Sequence, residues 1–187
     1  MLIGITGLKG SGKDTLGTIL HVSRDYRVTW FAEPIKESLK VALRMSHDQL
    51  YGSQALKDQV DPRYGICPRH AMQTFGTEWG RGLINPEVWV ICCMDKIDSS
   101  PQQSWVIPDV RFANEARAIT SRGGKIIEVI RPCARNKDRH PSENGGSRFT
   151  PQITIYNTGG VQDLRNLIHR EFDRMVTHRG RQVYYTT

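Results

Sequence analysis

Nine consecutive residues near the start of the chain, Gly7-Leu8-Lys9-Gly10-Ser11-Gly12-Lys13-Asp14-Thr15, have the types and order needed to hold a string of phosphates. Their spacing is G-x-x-x-x-G-K, that of a Walker A loop. Glycines let the backbone wrap so that its N–H groups converge on phosphate oxygens. A helix opening at the lysine aims its positive end at the same place. Lys13 then reaches the β- and γ-phosphates as a point charge. On this reading Gly10, Ser11, Gly12, Lys13, Asp14 and Thr15 bind ATP. Residue 14 is Asp, where a Ser or Thr that ligates Mg²⁺ usually stands, and the hydroxyl of Thr15 comes one place later. Mg²⁺ is expected across the β- and γ-phosphates. Asp14 directly, Asp14 through water, and Thr15 are all open as its protein ligand.

The other residues suited to chemistry lie far along the chain. Arg69, Arg81 and Arg111 have the planar fork that grips a phosphate with two bonds, unless they are ordinary surface charges. Trp89 either stacks on a base or packs in a core. Asp109 follows the apolar run Trp105-Val106-Ile107. It could hold a water on Mg²⁺, bond an acceptor, orient Arg111, or form a plain ion pair with it. Glu115, four residues after Arg111, shares a helix face with it if the helix starts early; the alternative is an exposed pair. Arg131, Arg135, Lys137 and Arg139 form either a lid over phosphates or a solvated basic loop. His140, Ser142 and Glu143 read as a cap or hinge.

If the acceptor is a phosphomonoester, its second pKa of ~6 leaves the attacking oxygen already ionised. No strong base is then required. Catalysis reduces to positioning and charge neutralisation, which makes Lys13, Asp109 and Arg111 the catalytic candidates.

The elements that must position these groups can be read from apolar spacing. Leu2–Thr6 predicts a buried strand, followed by a helix from about Lys13 to Val22. A second strand is expected over Val28–Ala32, with Pro34 in the first turn of the next helix. The polar stretch from Ser46 to Cys67 predicts short helix and loop. Helices are expected from about Arg69 to Trp79 and Pro86 to Ile97. Strands follow at Trp105–Ile107, Lys125–Ile130 and Ile153–Tyr156, with helices at Ala113–Arg122 and Val161–Met175. Pro132 to Pro151 predicts an exposed loop or lid, and the basic tail from Thr177 a frayed end. Strands alternating with helices predict a three-layer α/β fold: a mostly parallel, five-stranded sheet, helices on both faces and a small lid. Ligands in such sheets sit beyond the carboxyl ends of the strands.

The chain has 187 residues and 38% apolar content, enough for one compact domain. Twenty-six Lys and Arg against nineteen Asp and Glu leave a formal +7, which suits polyanionic partners. No apolar run approaches the ~18 residues that span a bilayer, and the apolar start is too short for a signal peptide. Cys67, Cys92, Cys93 and Cys133 form no CxxC pair, so reduced thiols in a cytosolic protein are expected. No strongly basic helix, zinc pattern or aromatic-interleaved basic motif points to nucleic acid.

Taken in order, these blocks resemble the bacteriophage deoxynucleoside monophosphate kinase family. The resemblance rests on the GKDT loop, Phe31-Ala32-x-Pro34-Ile35-Lys36, Gln73 with Gly76-Thr77 and Arg81, Asp109-x-Arg111-x3-Glu115, Ile130-Arg131-Pro132, His140-x-Ser142-Glu143 and Ile155-x-Asn157. A hydroxyl two places beyond the lysine also looks like nucleoside monophosphate kinases. The resemblance implies one P-loop NTPase domain over 1–187, with a monophosphate-binding region at about 46–90 and a lid at about 132–150. It implies ATP, Mg²⁺ and a (deoxy)nucleoside monophosphate as partners, in a host cytoplasm, with a homodimer as one option. Arg69, Gly76, Thr77, Trp89, Asp109, Arg111 and Glu115 are then the acceptor-binding positions; His70 stands where a second basic residue would be natural. Two other classes share some of these features: a P-loop kinase for another phosphorylated metabolite, such as phosphomevalonate or dephospho-coenzyme A, and a nucleic-acid-binding ATPase.

Overall fold

A computed structural model describes residues 1–132, 149–178 and 180–186. Its helices are α1 (Lys13–Arg24), α2 (Glu33–Ala42), α3 (His47–Tyr51), α4 (Gln54–Asp58), α5 (Pro68–Gln73), α6 (Val88–Asp98), α7 (Ala113–Thr120) and α8 (Val161–Thr177). A π-helical stretch, Thr74–Ile84, continues from α5. The strands are β1 (Leu2–Thr6), β2 (Arg27–Val28), β3 (Trp105–Ile107), β4 (Lys125–Ile130), β5 (Ile153–Tyr156) and β6 (Gln182–Tyr185). The chain divides into two compact units, Met1–Trp30 with Met94–Thr187, and Phe31–Cys93.

The first unit carries one sheet in the order β2-β3-β1-β4-β5-β6, with every pairing parallel. Leu2–Thr6 is buried throughout. That is what a central strand covered on both faces requires, and it explains why the run reads as continuously apolar. Leu16, Ile19 and Leu20 of α1 meet Leu164, Leu167, Ile168 and Phe172 of α8 in a core with Ile3, Ile5, Ile127, Ile153 and Ile155 of the sheet. Ile119 of α7 packs with Val110 and Ile126 around Gly4. The three-layer α/β expectation therefore holds.

The sheet has six strands rather than five. The difference is the basic tail, expected to fray. Gln182–Tyr185 instead adds to the edge of β5 in register, with Tyr156 opposite Tyr185 and their rings stacked 4.9 Å apart. Alternating Val183 and Tyr185 outward with Tyr184 against the core is the period-2 signal of a strand, here too short to stand out from its polar neighbours. The second expected strand is also shorter. Only Arg27–Val28 pair with β3, and Thr29 N still donates to the Val106 carbonyl at 3.1 Å. α2 starts at Glu33 with Pro34 in its first turn, so the extended run ends before it.

The second unit has its own core of Ile35, Leu39, Met45, Leu50, Ala71 and Trp89. Ser46 caps α3 reciprocally: its hydroxyl accepts from Gln49 N at 3.2 Å, and Gln49 Oε1 accepts from Ser46 N at 2.8 Å. The segment expected as a lid, with Arg135, Lys137, Arg139, His140, Ser142 and Glu143, lies outside the described residues, as does Cys133. Cys93 is buried and Cys92 exposed. Among the described residues, no helix is long and apolar enough to cross a membrane.

Candidate active site

Parallel strands put all their carboxyl ends on one edge of the sheet. In the first unit that edge carries the loop after β1, the Pro108–Arg111 turn after β3, Arg131 after β4 and Asn157 after β5.

The loop after β1 is a turn closed by Ser11 N on the Leu8 carbonyl at 3.0 Å, with α1 starting as Leu16 N bonds the Gly12 carbonyl at 2.9 Å. Gly10 and Gly12 have φ of 80° and 103°, the left-handed region that only glycine enters freely. A β-carbon on Gly10 would meet no described residue within 4 Å. Gly12 is different: a β-carbon there would lie 2.4 Å from Asn157 Nδ2. The Lys13 side chain is mostly covered and its Nζ lies 3.6 Å from Asp14 Oδ2, while the Asp14 side chain is 75% exposed. Thr15 is half-buried one residue on.

Asp109 is buried. It follows Pro108, whose ring lies 3.0 Å from where a β-carbon on Gly17 of α1 would be. Val110 N donates to the Ile5 carbonyl at 3.1 Å, so the turn after β3 is bonded to the strand that feeds the phosphate loop. Glycine at 17 thus lets the Asp109 turn approach the helix behind that loop.

Arg111 precedes α7 rather than sharing a face of it with Glu115. Glu115 is 1% exposed, so the exposed-pair alternative does not hold. Its Oε2 accepts from Arg111 N at 2.6 Å and Phe112 N at 3.0 Å. A carboxylate reaching back to two donors ahead of a helix satisfies otherwise orphaned amides. It also fixes the backbone from which Arg111 projects.

Arg131, after β4 and expected as part of a lid, bonds the loop after β5. Its guanidinium donates to the carbonyls of Asn157, at 3.3 Å, and Gly159. The role of Thr186 is another that composition did not suggest. Its hydroxyl accepts from Thr158 N at 2.8 Å and Gly159 N at 2.9 Å. The sequence signal at Asn157 was its place in the Ile155-x-Asn157 block of the resemblance, just past β5, and nothing in that block pointed to Ser11.

In the second unit, Arg69 donates to Asp58 Oδ1 at 2.5 Å and to Gln54 Oε1, both on α4. Arg81 donates to the Pro86 carbonyl at 3.3 Å. His70 is exposed. Trp89 is 4% exposed and donates from Nε1 to the Gly76 carbonyl at 2.6 Å. Its ring lies 2.4 Å from where a β-carbon on Gly80 would be, and Ile35 crowds Gly76 in the same way at 2.7 Å. Glycines at 76 and 80 let α2 and α6 press against the π-helical stretch, and Thr77 lies between them, half-buried.

Residues 52–168 match the family described as deoxynucleotide monophosphate kinase. A putative deoxynucleotide monophosphate kinase of Acanthamoeba polyphaga mimivirus is 34% identical in an alignment that covers 76% of this chain and 80% of that protein. The deoxynucleoside-5'-monophosphate kinase of Escherichia phage T5 is 32% identical over 54% of this chain and 43% of its own length. The deoxynucleotide monophosphate kinase of Enterobacteria phage T4 is 28% identical over 51% and 41%. The matched segment thus spans less than half of the two phage proteins. Among solved structures, dephospho-CoA kinase from Campylobacter jejuni aligns with 93% of this chain and 96% of its own, at TM-score 0.47 and 12% identity.

Proposed function

The chain belongs to the deoxynucleotide monophosphate kinase family, and from that premise we propose that it transfers the γ-phosphoryl group of ATP to a (deoxy)nucleoside monophosphate, giving the diphosphate and ADP. The observation that carries the ATP side is the glycine loop from Gly7 to Lys13, clear of every described residue at Gly10 and leading into α1, on the carboxyl edge of the sheet. An ionised acceptor oxygen bonds to the γ-phosphorus as the bond to the β–γ bridging oxygen breaks. No proton has to be removed by the protein.

The chain's own groups then have these tasks. The N–H groups of Gly10 to Thr15 cradle phosphate oxygens, and Lys13 neutralises charge on the β- and γ-phosphates. Arg111 binds the acceptor phosphate and neutralises the charge spread over the transferring group. Asp109 sets the position of Arg111 or of the metal's water shell. Acceptor roles are also assigned to Arg69, Gly76, Thr77 and Trp89, the last by holding Gly76 and Gly80. Glu115 acts through the backbone of Arg111.

The donor set fits Mg²⁺. An exposed carboxylate (Asp14), a hydroxyl (Thr15) and a buried carboxylate (Asp109) are the oxygen ligands expected of a cation held by one or two protein groups and substrate phosphates. Bound there, the ion would supply positive charge against the negative phosphate oxygens. Asp14, Thr15 and Asp109 are the residues that would hold it, directly or through water.

The test is ADP release with Mg²⁺ over all common deoxyribo- and ribonucleoside monophosphates, plus dephospho-coenzyme A and phosphomevalonate. Turnover with one or more deoxynucleoside monophosphates, lost in Lys13→Ala, is the expected result. Turnover with the non-nucleotide acceptors alone would overturn the acceptor assignment, and full activity in Lys13→Ala the loop assignment.

A further inference from the structure

We infer that Asn157 is a positioning residue for the phosphate loop, setting the plane of the Ser11–Gly12 peptide from outside the loop; the inference rests on that loop being the ATP site. The Asn157 carboxamide donates from Nδ2 to the Ser11 carbonyl at 2.8 Å, across 146 residues of sequence. In a planar trans peptide the carbonyl of one residue and the N–H of the next point in opposite directions. Tying the Ser11 carbonyl to Asn157 therefore aims the Gly12 N–H away from Asn157. That N–H is one of the donors a phosphate would meet, immediately before Lys13.

Three observations make this more than a packing contact. The carboxamide occupies the space a side chain at residue 12 would need, 2.4 Å from the β-carbon position, so Asn157 and the left-handed Gly12 are fitted to each other. Asn157 is 4% exposed, and its Oδ1 is buried with no hydrogen-bond partner among the described residues. An apolar residue would fill this place without stranding an acceptor, so the Nδ2 bond is the reason for a carboxamide here. Finally, Asn157 is itself braced. Its N donates to the Ile130 carbonyl at 2.8 Å, its carbonyl accepts from Arg131 Nε, and the next two residues hand their N–H groups to the Thr186 hydroxyl. The brace runs from β4 and the β6 end, through Asn157, to the phosphate loop.

A decisive substitution is Asn157→Asp, which keeps shape and replaces the donor with a titratable group. As a carboxylate it opposes the Ser11 carbonyl. Once protonated, its O–H donates to that carbonyl as the amide N–H did. ATP·Mg²⁺ binding is measured by calorimetry at about pH 7.5 and about pH 5 for wild type, Asn157→Asp and Asn157→Ala, with circular dichroism on each, and ATP and acceptor KM at pH 7.5. Expected are a loss of about tenfold or more in ATP affinity for both variants at pH 7.5, about 1.4 kcal/mol or more, with acceptor KM little moved. At pH 5 the Asp variant should return to within about threefold of wild type at the same pH, about half of that energy, and the Ala variant should not. A merely structural role predicts no such selective recovery. Wild-type affinity in both variants at pH 7.5 overturns the proposal, as does a folded Asp variant that stays weak at pH 5. An Asp variant unfolded at pH 5 overturns it too, because the neutral carboxyl reproduces both shape and donor. Absence of ATP binding by wild type itself is a different failure, that of the ATP-site reading.

Discussion

The indole N–H of Trp89 points at the carbonyl of Gly76, 2.6 Å away, while the same ring fills the space beside Gly80. One buried side chain thereby holds both ends of the segment that carries Thr77. A base-stacking role needs only an aromatic face, which Phe also supplies. The positioning role needs the N–H. Trp89→Phe should therefore raise acceptor KM severalfold with ATP KM unchanged, and should cost about 1–2 kcal/mol in urea unfolding, the cost of leaving a buried carbonyl unpaired. Unchanged acceptor KM in the Phe variant would return Trp89 to simple packing or stacking.

Glu115 tests the same logic in the first unit. Its carboxylate is the shared acceptor for Arg111 N and Phe112 N. Glu115→Ala strands two amides and should cost about 1–3 kcal/mol of stability. It should also raise acceptor KM and lower kcat, because Arg111 projects from that backbone. Glu115→Gln keeps an acceptor oxygen and should lie between the two. If Arg111→Ala and Glu115→Ala lose turnover additively, the two residues act independently and the positioning role is wrong.

How much of this was legible depended on the range of the interaction. β1, the phosphate loop and α1 are written in adjacent residues, so spacing alone located them. A shared helix face for Arg111 and Glu115 required a helix that starts early, and α7 starts only at Ala113, as apolar spacing predicts; that the Glu115 carboxylate bonds the two amides ahead of the helix has no signature in the spacing. The Asn157–Ser11 bond spans 146 residues and has no local signature. The Thr186 contacts depend on β6, whose four residues carry too little alternation to distinguish a strand from a polar tail.

Two carboxylates should move stability with pH in opposite senses. Burial raises the Glu128 carboxyl above its ordinary 4.5, partly offset by Arg181. Folding therefore favours its neutral form: the contribution is full below the unfolded value and is lost as pH rises through the raised folded value. Glu128→Gln should unfold at a higher urea midpoint than wild type at pH 7, with the gap closing toward about pH 4. Asp61 is held well below its ordinary 3.8, first by the hydrogen bond from Arg63 and next by that from Gln49. Its contribution is present above 3.8 and disappears as pH falls through the folded value. Asp61→Asn should be less stable than wild type at pH 7, with the difference shrinking in acid. If Glu128→Gln does not gain stability relative to wild type as pH rises from about 4 to 7, or Asp61→Asn does not lose it, the corresponding assignment is wrong.

Thr186 is buried at the end of β6, and its hydroxyl is the acceptor for two consecutive N–H groups, those of Thr158 and Gly159. Its own N donates to the Tyr156 carbonyl at 3.0 Å, continuing the β5–β6 ladder. Valine matches threonine in shape and keeps that backbone bond, so Thr186→Val removes the hydroxyl alone. Two amides then lose their acceptor, at a cost of about 1–3 kcal/mol if they stay shielded and less if water replaces the hydroxyl. Thr158 is exposed, which allows water to reach it, so the lower part of that range is expected. The loop it anchors contains no residue assigned to the acceptor. The functional effect should accordingly fall on ATP KM, severalfold, and leave acceptor KM within twofold, which is under about 0.5 kcal/mol. Deleting residues 178–187 removes the ladder as well and should give a larger loss of both stability and ATP affinity. If the deletion changes neither, the edge strand is dispensable, and the phosphate loop is held by β4 and β5 alone.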